Sequence, residues 1–246
     1  MPDTPPQTIL IDVSLPDAAA LSDELIALME SLHVVLIGWF EVPEQTTAAQ
    51  AHDQFGDEMN ERLETLANVL REAGAVVETQ LVFTGDPIET MERISAETDS
   101  DAVLIPYAHD RVQSVLVPLR DPRHASRISA FLSHLVETDT ASFTLFHVIE
   151  DEDEPDVLSP VTDQLVEIGL DASTITQRVV AADDPASAIL EAAQDHDLVV
   201  MGESKPTVRD VLFGTISERI AREANIPVIM VRARTKASDT SSVSDA

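Results

Sequence analysis

Short apolar runs alternate along this chain with longer stretches in which apolar residues recur every three or four positions. The runs TILIDVSL (8–15), HVVLIGWFEV (33–42), VVETQLVF (76–83) and AVLIPYA (102–108) read as strands. Between them lie two amphipathic stretches. One covers 17–30, with Ala20, Leu21, Leu25 and Leu28 on one face. The other carries Phe55, Met59, Leu63, Leu66 and Leu70 on one face and meets a stop at Gly74. A third helix over 86–97 opens on Asp86-Pro87, a favourable helix start.

The order then begins again. Strands are predicted over 114–121, 142–150, 174–181, 197–202 and 226–233, and helices over 122–137, around 156–169, 184–196 and 215–224. ILIDVSLPDAA aligns with VLVPLRDPRHA, placing Pro16 over Pro122, and VVETQLVFTGDP aligns with ITQRVVAADDP. The offset is roughly 100 residues, the length of one domain. Strands alternating with helices imply βαβ units and parallel sheets covered on both faces, and near-continuous apolar strands fit that burial. The expectation is therefore an α/β chain of two open, mostly parallel sheets in tandem. Its parts are a repeat over 7–110, a repeat over 112–233, and a polar tail over 234–246 whose composition reads as disordered. The first repeat is shorter: only HDRVQ separates its fourth strand from the next repeat, where the second has a loop, a helix and a fifth strand.

Composition adds one strong feature. The chain of 246 residues carries 45 acidic against 15 basic residues, a formal charge of -30, and only two lysines, Lys205 and Lys236. An acidic coat spread this evenly repels itself, and molar salt, with a screening length of about 3 Å, removes most of that repulsion. The pattern fits a salty cytoplasm of the halophilic archaeal kind. It argues against nucleic acid as a partner, since phosphate neutralisation needs clustered Lys and Arg. The absence of cysteine excludes disulfides and thiolate chemistry. The start MPDTPPQ lacks the basic and apolar regions of a leader, and no apolar run approaches the ~18 residues of a membrane span. The expected setting is cytoplasmic, with no membrane partner.

The candidate chemistry lies in MGESKPTVRDVLFGTISERI (201–220). This loop follows a strand and opens a helix, the place where open α/β sheets bind ligands. Unpaired N–H groups at the helix start suit an anion, with Ser217 as a further donor and Lys205 as a countercharge. A ligand-free reading also holds: Thr215 and Glu218 have the spacing of a capping box, and Ile216, Ile220 and Ala224 form a core stripe. Pro206 removes a donor, and Glu203 and Asp210 add negative charge.

DLVVMGESK…FGTISERIAREANIPVIMVR, with VLVPL, LFHVIE and DPASAILEAA, resembles a universal stress protein domain. The resemblance spans the second repeat and, more weakly, the first. It implies a Rossmann-like fold of the adenine nucleotide alpha hydrolase type and a non-catalytic stress regulator or interaction module. It also implies at most one adenine-nucleotide site, for ATP or a relative, in the second repeat. Carried over residue by residue, Pro118, Leu119 and Arg120 follow the first strand, Val148 touches the base, and Met201, Ser204 and Ile216 line the rest. Gly202 and Gly214-Thr215 take the ends of the glycine loop. This chain departs from the family pattern at two places: Arg120 stands for an aspartate, and Lys205 for the second glycine. In the first repeat Ser14 takes the aspartate's position. Two outcomes stay open, a working ATP site and a nucleotide-independent scaffold; an ATP-hydrolysing enzyme is the third.

Other clusters carry less. Asp195, His196 and Asp197 are neighbours that face different ways, so a solvated turn is expected rather than a metal site. His147 reads as a satisfied core histidine, and EDEDEPD (150–156) as a solvated acidic turn, since it lacks the spaced ligands of a calcium loop. No metal or catalytic residue is expected. The last strand, IPVIMV (226–231), reads as an uncovered edge. Family members pair this strand, so the expectation is either a homodimer through 226–232 or an internal pseudo-dimer of the two repeats. The identity of any protein partner is not legible.

Overall fold

The computed structural model describes residues 7–18, 21–107, 111–120, 122–135, 141–149, 156–203 and 216–232. In chain order the strands are β1 (Thr8–Leu15), β2 (His33–Glu41), β3 (Val76–Thr84), β4 (Ala102–Ile105), β5 (Ser114–Pro118), β6 (Ser142–Ile149), β7 (Ile175–Ala181), β8 (Leu198–Gly202) and β9 (Val228–Val231). The helices are α1 (Asp23–Ala27), α2 (Ala48–Glu72), α3 (Pro87–Glu97), α4 (Pro122–Leu135), α5 (Ser159–Glu167), α6 (Pro185–Ala193) and α7 (Ile216–Ala224).

The helix ends follow from side-chain chemistry. Thr47 and Gln50 close a capping box at the start of α2. Asp86 and Asp184 cap α3 and α6 by accepting from Glu89 N and Ala186 N, each with a proline in the first turn. Gly74, at φ 104°, follows α2 where the sequence places a stop. The helix expected over 17–30 is shorter: Ser22 caps it by accepting from Leu25 N, and the regular helix ends at Ala27. Here Ser22 competes as a cap with continued helix, and the cap prevails.

The strand order β3-β2-β1-β4-β9-β8-β5-β6-β7 makes one nine-stranded sheet. This corrects the expectation of two separate sheets. Every pairing is parallel except one, β4 with β9, where Ala102 faces Val231 and Ile105 faces Val228. β9 is therefore not an edge. β8 occupies its other side, with Val199 against Val228. With both sides taken, two chains cannot pair through 226–232, and the internal pairing of the halves is what forms. The physical reason is that the first half ends at β4 with an open edge of its own, and the fifth strand of the second half fills it.

Three devices repeat or reinforce the junction. Asp101, just before β4, accepts from Thr8 N at 2.9 Å, and Asp197, just before β8, accepts from Ser114 N at 2.9 Å. Each carboxylate thus fastens the start of the first strand in its own half. Arg232, at the end of β9, donates from Nη1 to the carbonyls of Ser95 and Thr98 and to Ser100 Oγ. Its guanidinium closes the carboxyl end of α3, where a cation is favoured. Glu24 of α1 accepts from Val112 N in the segment joining the halves.

Strand residues alternate between two layers. Ile9, Ile11, Leu104, Val115, Val117 and Ile229 point toward α1, α2, α4 and α5, forming one cluster that runs through both halves. The opposite side is covered by α3 over Leu10, Ile37 and Val103, and by α6 and α7 over Leu116, Phe146, Val199 and Val228. Ile105 of β4 packs into the α6–α7 cluster, so the antiparallel junction is covered on both faces.

Candidate functional site

At the carboxyl ends of β5, β6 and β8 the chain brings together the described part of the expected site. β5 ends at Pro118, and Leu119 then donates from its N–H to Phe146 O of β6 at 2.8 Å. Leu119 O accepts from His147 Nδ1 at 2.7 Å. This bond puts the proton on Nδ1 and locks the exit of β5 onto β6, a structural role for this buried histidine. Arg120 follows, with its residue exposed. Met201, buried near the end of β8, packs in one apolar cluster with Val148 of β6 and Ile216 of α7. Three positions that the resemblance assigns to the ligand, from three elements, thus share one floor. Gly202 pairs with Val231, and Glu203 N donates to Val231 O at 2.8 Å, tying the start of the loop to β9. Ser217 is buried in the first turn of α7. Ser204, Lys205, Gly214 and Thr215 lie outside the described residues, as do residues 150–155 of the acidic turn and the tail from 233.

In the Asp195–Asp197 triplet Asp195 is exposed, but the other two residues are not merely solvated. His196 bonds through Nδ1 to Ala192 O and through Nε2 to Thr144 Oγ1, while Asp197 serves the start of β5. Among the described residues no group of three His, Asp or Glu side chains is placed to hold a metal. No helix there is long and apolar enough to cross a membrane.

The corresponding corner of the first half is built differently. Trp39 of β2 lies across from Ser14 of β1 and donates from Nε1 to Asp12 Oδ2 at 3.3 Å. Burial pushes the Asp12 carboxyl above its ordinary range, and the charge of Glu218 from α7 adds to the push; the Trp39 bond pulls partly back. Sequence reasoning missed this pair. The available signal was a lone acid inside the apolar run TILIDVSL. A folded-state pKa above the unfolded one means that the native state holds the proton more tightly. Its contribution is complete below the usual carboxyl range and is lost as pH rises through the raised value. Asp12→Asn keeps an acceptor for Trp39 without the charge. Thermal melts at neutral pH are expected to show the variant more stable than the parent, and melts at pH 3 to show no gain.

Residues 111–232 match the model of the universal stress protein family. The second half of the chain is thus similar to a universal stress protein domain. Over most of the chain, the fold is shared with a universal stress protein from Archaeoglobus fulgidus DSM 4304. The two are 18% identical with a TM-score of 0.61, covering 92% of this chain and 96% of that one. A universal stress protein structure from Pseudomonas aeruginosa UCBPP-PA14 is 14% identical with a TM-score of 0.48, covering 92% and 93%. A universal stress protein solved in complex with cAMP is 21% identical with a TM-score of 0.41, covering 49% of this chain and 97% of its own. No curated protein matches the chain significantly.

Proposed function

We propose that this chain is a tandem stress protein built of repeats over 7–110 and 112–233. It works in the cytoplasm as a non-catalytic regulator or interaction module, with at most one adenine-nucleotide site, in the second repeat. The observation that carries the reading is the shared apolar floor of Val148, Met201 and Ile216 at the carboxyl ends of the strands, under the start of α7. A purine would stack on that floor, and the first N–H groups of α7 would meet the phosphates. Lys205, one of two lysines in the chain, would supply countercharge. In the first half, the matching corner is closed by Trp39 bonded to Asp12, which favours a single site.

Arg120 stands where the resemblance implies a carboxylate for the ribose and base. The change substitutes a donor for an acceptor and weakens nucleoside selectivity relative to phosphate attraction. Titration calorimetry with ATP in molar KCl is expected to give a stoichiometry no greater than one per chain, with no phosphate released over hours. Two equivalents per chain, or steady phosphate release, would overturn the proposal. Met201→Lys places a charge on the apolar floor and is expected to abolish whatever nucleotide heat the parent shows.

A further inference from the structure

The sheet has two ends, β3 and β7, and no described strand pairs with the outer side of either; on those outer sides Arg71 Nη2 donates to Val77 O and Ile175 N donates to Ala172 O. Natural edges are protected by charge, proline or bulges. Here 24% of the chain is charged, yet β3 carries one charge in nine residues, Glu78, and β7 one in seven, Arg178; neither contains proline. Both also expose valine: Val76 is 64% exposed and Val179 55%. Among the described residues the large exposed apolar side chains lie on these two strands, on α2 and α3, and on α5 and the residue that follows it.

The backbone hydrogen bonds say which residues face outward. Val76 N donates to Leu32 O and Thr84 O accepts from Val42 N, so the even-numbered residues of β3 face β2 and the odd ones face out. Ala182 N donates to Ile149 O, so on β7 too the odd-numbered residues face out. The two layers agree as well. Val77 and Leu81 of β3 and Ile175 of β7 pack on the same layer, so odd residues share one face at both ends of the sheet.

We propose that β7 of one copy pairs with β3 of the next, antiparallel, with Glu78 opposite Arg178. Strand β7 already runs opposite to β3 within the chain, because the single antiparallel step at β4–β9 reverses the direction. A second copy in the same orientation therefore offers β3 in the required sense. In this register Val77 faces Val179, Thr79 faces Gln177 and Leu81 faces Ile175 as hydrogen-bonded pairs, the last through Leu81 N to Ile175 O alone because Ile175 N–H stays with Ala172 O, and Val77 O is shared with Arg71. Val76 faces Val180, Glu78 faces Arg178 and Gln80 faces Thr176 as the closer, non-hydrogen-bonded pairs. Apolar meets apolar, polar meets polar, and the only two charges meet each other at the positions of closest side-chain approach. A β7–β7 pair centred on the strand would instead set Arg178 against Arg178. The contact is head-to-tail, so it propagates into open filaments rather than closing into a dimer. The formal charge of -30 opposes it at low ionic strength, and salt releases it.

Light scattering on the full chain in about 1 M KCl tests this. The mass of the parent is expected to climb above the 26.7 kDa of one chain as concentration rises, without a plateau at two copies. Arg178→Glu alone and Glu78→Arg alone are each expected to stay at one chain's mass, with unchanged circular dichroism. An equimolar mixture of the two is expected to associate again, because every junction then sets opposite charges together. A parent that remains at one chain's mass at its highest soluble concentration, a plateau at two copies, or a mixture that fails to associate would each overturn the proposal.

Discussion

Ile229→Ala is expected to destabilise the whole chain by about 3 kcal/mol, in a single transition. Ile229 is fully buried, lies opposite Leu104 across the antiparallel junction, and belongs to the cluster that runs through both halves. Removing its branched side chain leaves a cavity where β4 and β9 meet, between walls drawn from two halves that cannot both move in to fill it. For a chain of this length that cost corresponds to a fall in Tm of roughly 6–12 °C. A differential scanning calorimetry trace checks it. One shifted peak is expected; two peaks, with only one displaced, would mean that the halves melt independently and the junction contributes little.

Salt is expected to produce the second large effect. The formal charge of -30 is spread through both halves, and much of it has no countercharge. The intramolecular ion pairs that do form, such as Arg62 with Glu58 and Arg93 with Glu97, lie on exposed helix faces and contribute little. Folding brings the acids closer together, so the compact state carries the greater self-repulsion. The screening length grows from about 3 Å at 1 M to about 30 Å at 0.01 M salt, and the relief of that repulsion is lost as it grows. Denaturant midpoints are expected to rise steadily with KCl through the molar range, and dialysis into a dilute buffer to unfold a substantial fraction of the chain. Equal midpoints in dilute and molar salt would show that the acidic coat has no such cost.

Most of the secondary structure was legible in the sequence because it is decided locally. The Asp-Pro starts of α3 and α6, the stop at Gly74 and the apolar stripe of α2 each depend on residues within a turn or two of one another. The errors lie where a distant partner decides. IPVIMV reads as a strand from its own residues, but nothing within it says that the unclaimed edge of β4, more than a hundred residues away, will take its open side. Asp101 and Asp197 each stand just before the fourth strand of their half, a recurrence visible in the sequence, yet their role in fastening β1 and β5 needed coordinates. Arg232 gave no sequence signal, because its acceptors are carbonyls at the end of a helix from the other half. In the candidate site the apolar character of Val148, Met201 and Ile216 was legible; the Asp12–Trp39 pair was not, since the two residues meet only when β1 and β2 align.

Amide hydrogen exchange at Val228 and Met230 tests the joined sheet most directly. In the antiparallel ladder these residues stand opposite Ile105 and Val103, and Arg232, two positions on, donates its N–H to Asp101 O across the same edge. Their amides are expected to be as protected as those of β1 and β5, opening only with global unfolding. Exchange at the rate of an exposed strand edge, with β1 and β5 still protected, would contradict the account and return the chain to two separate sheets.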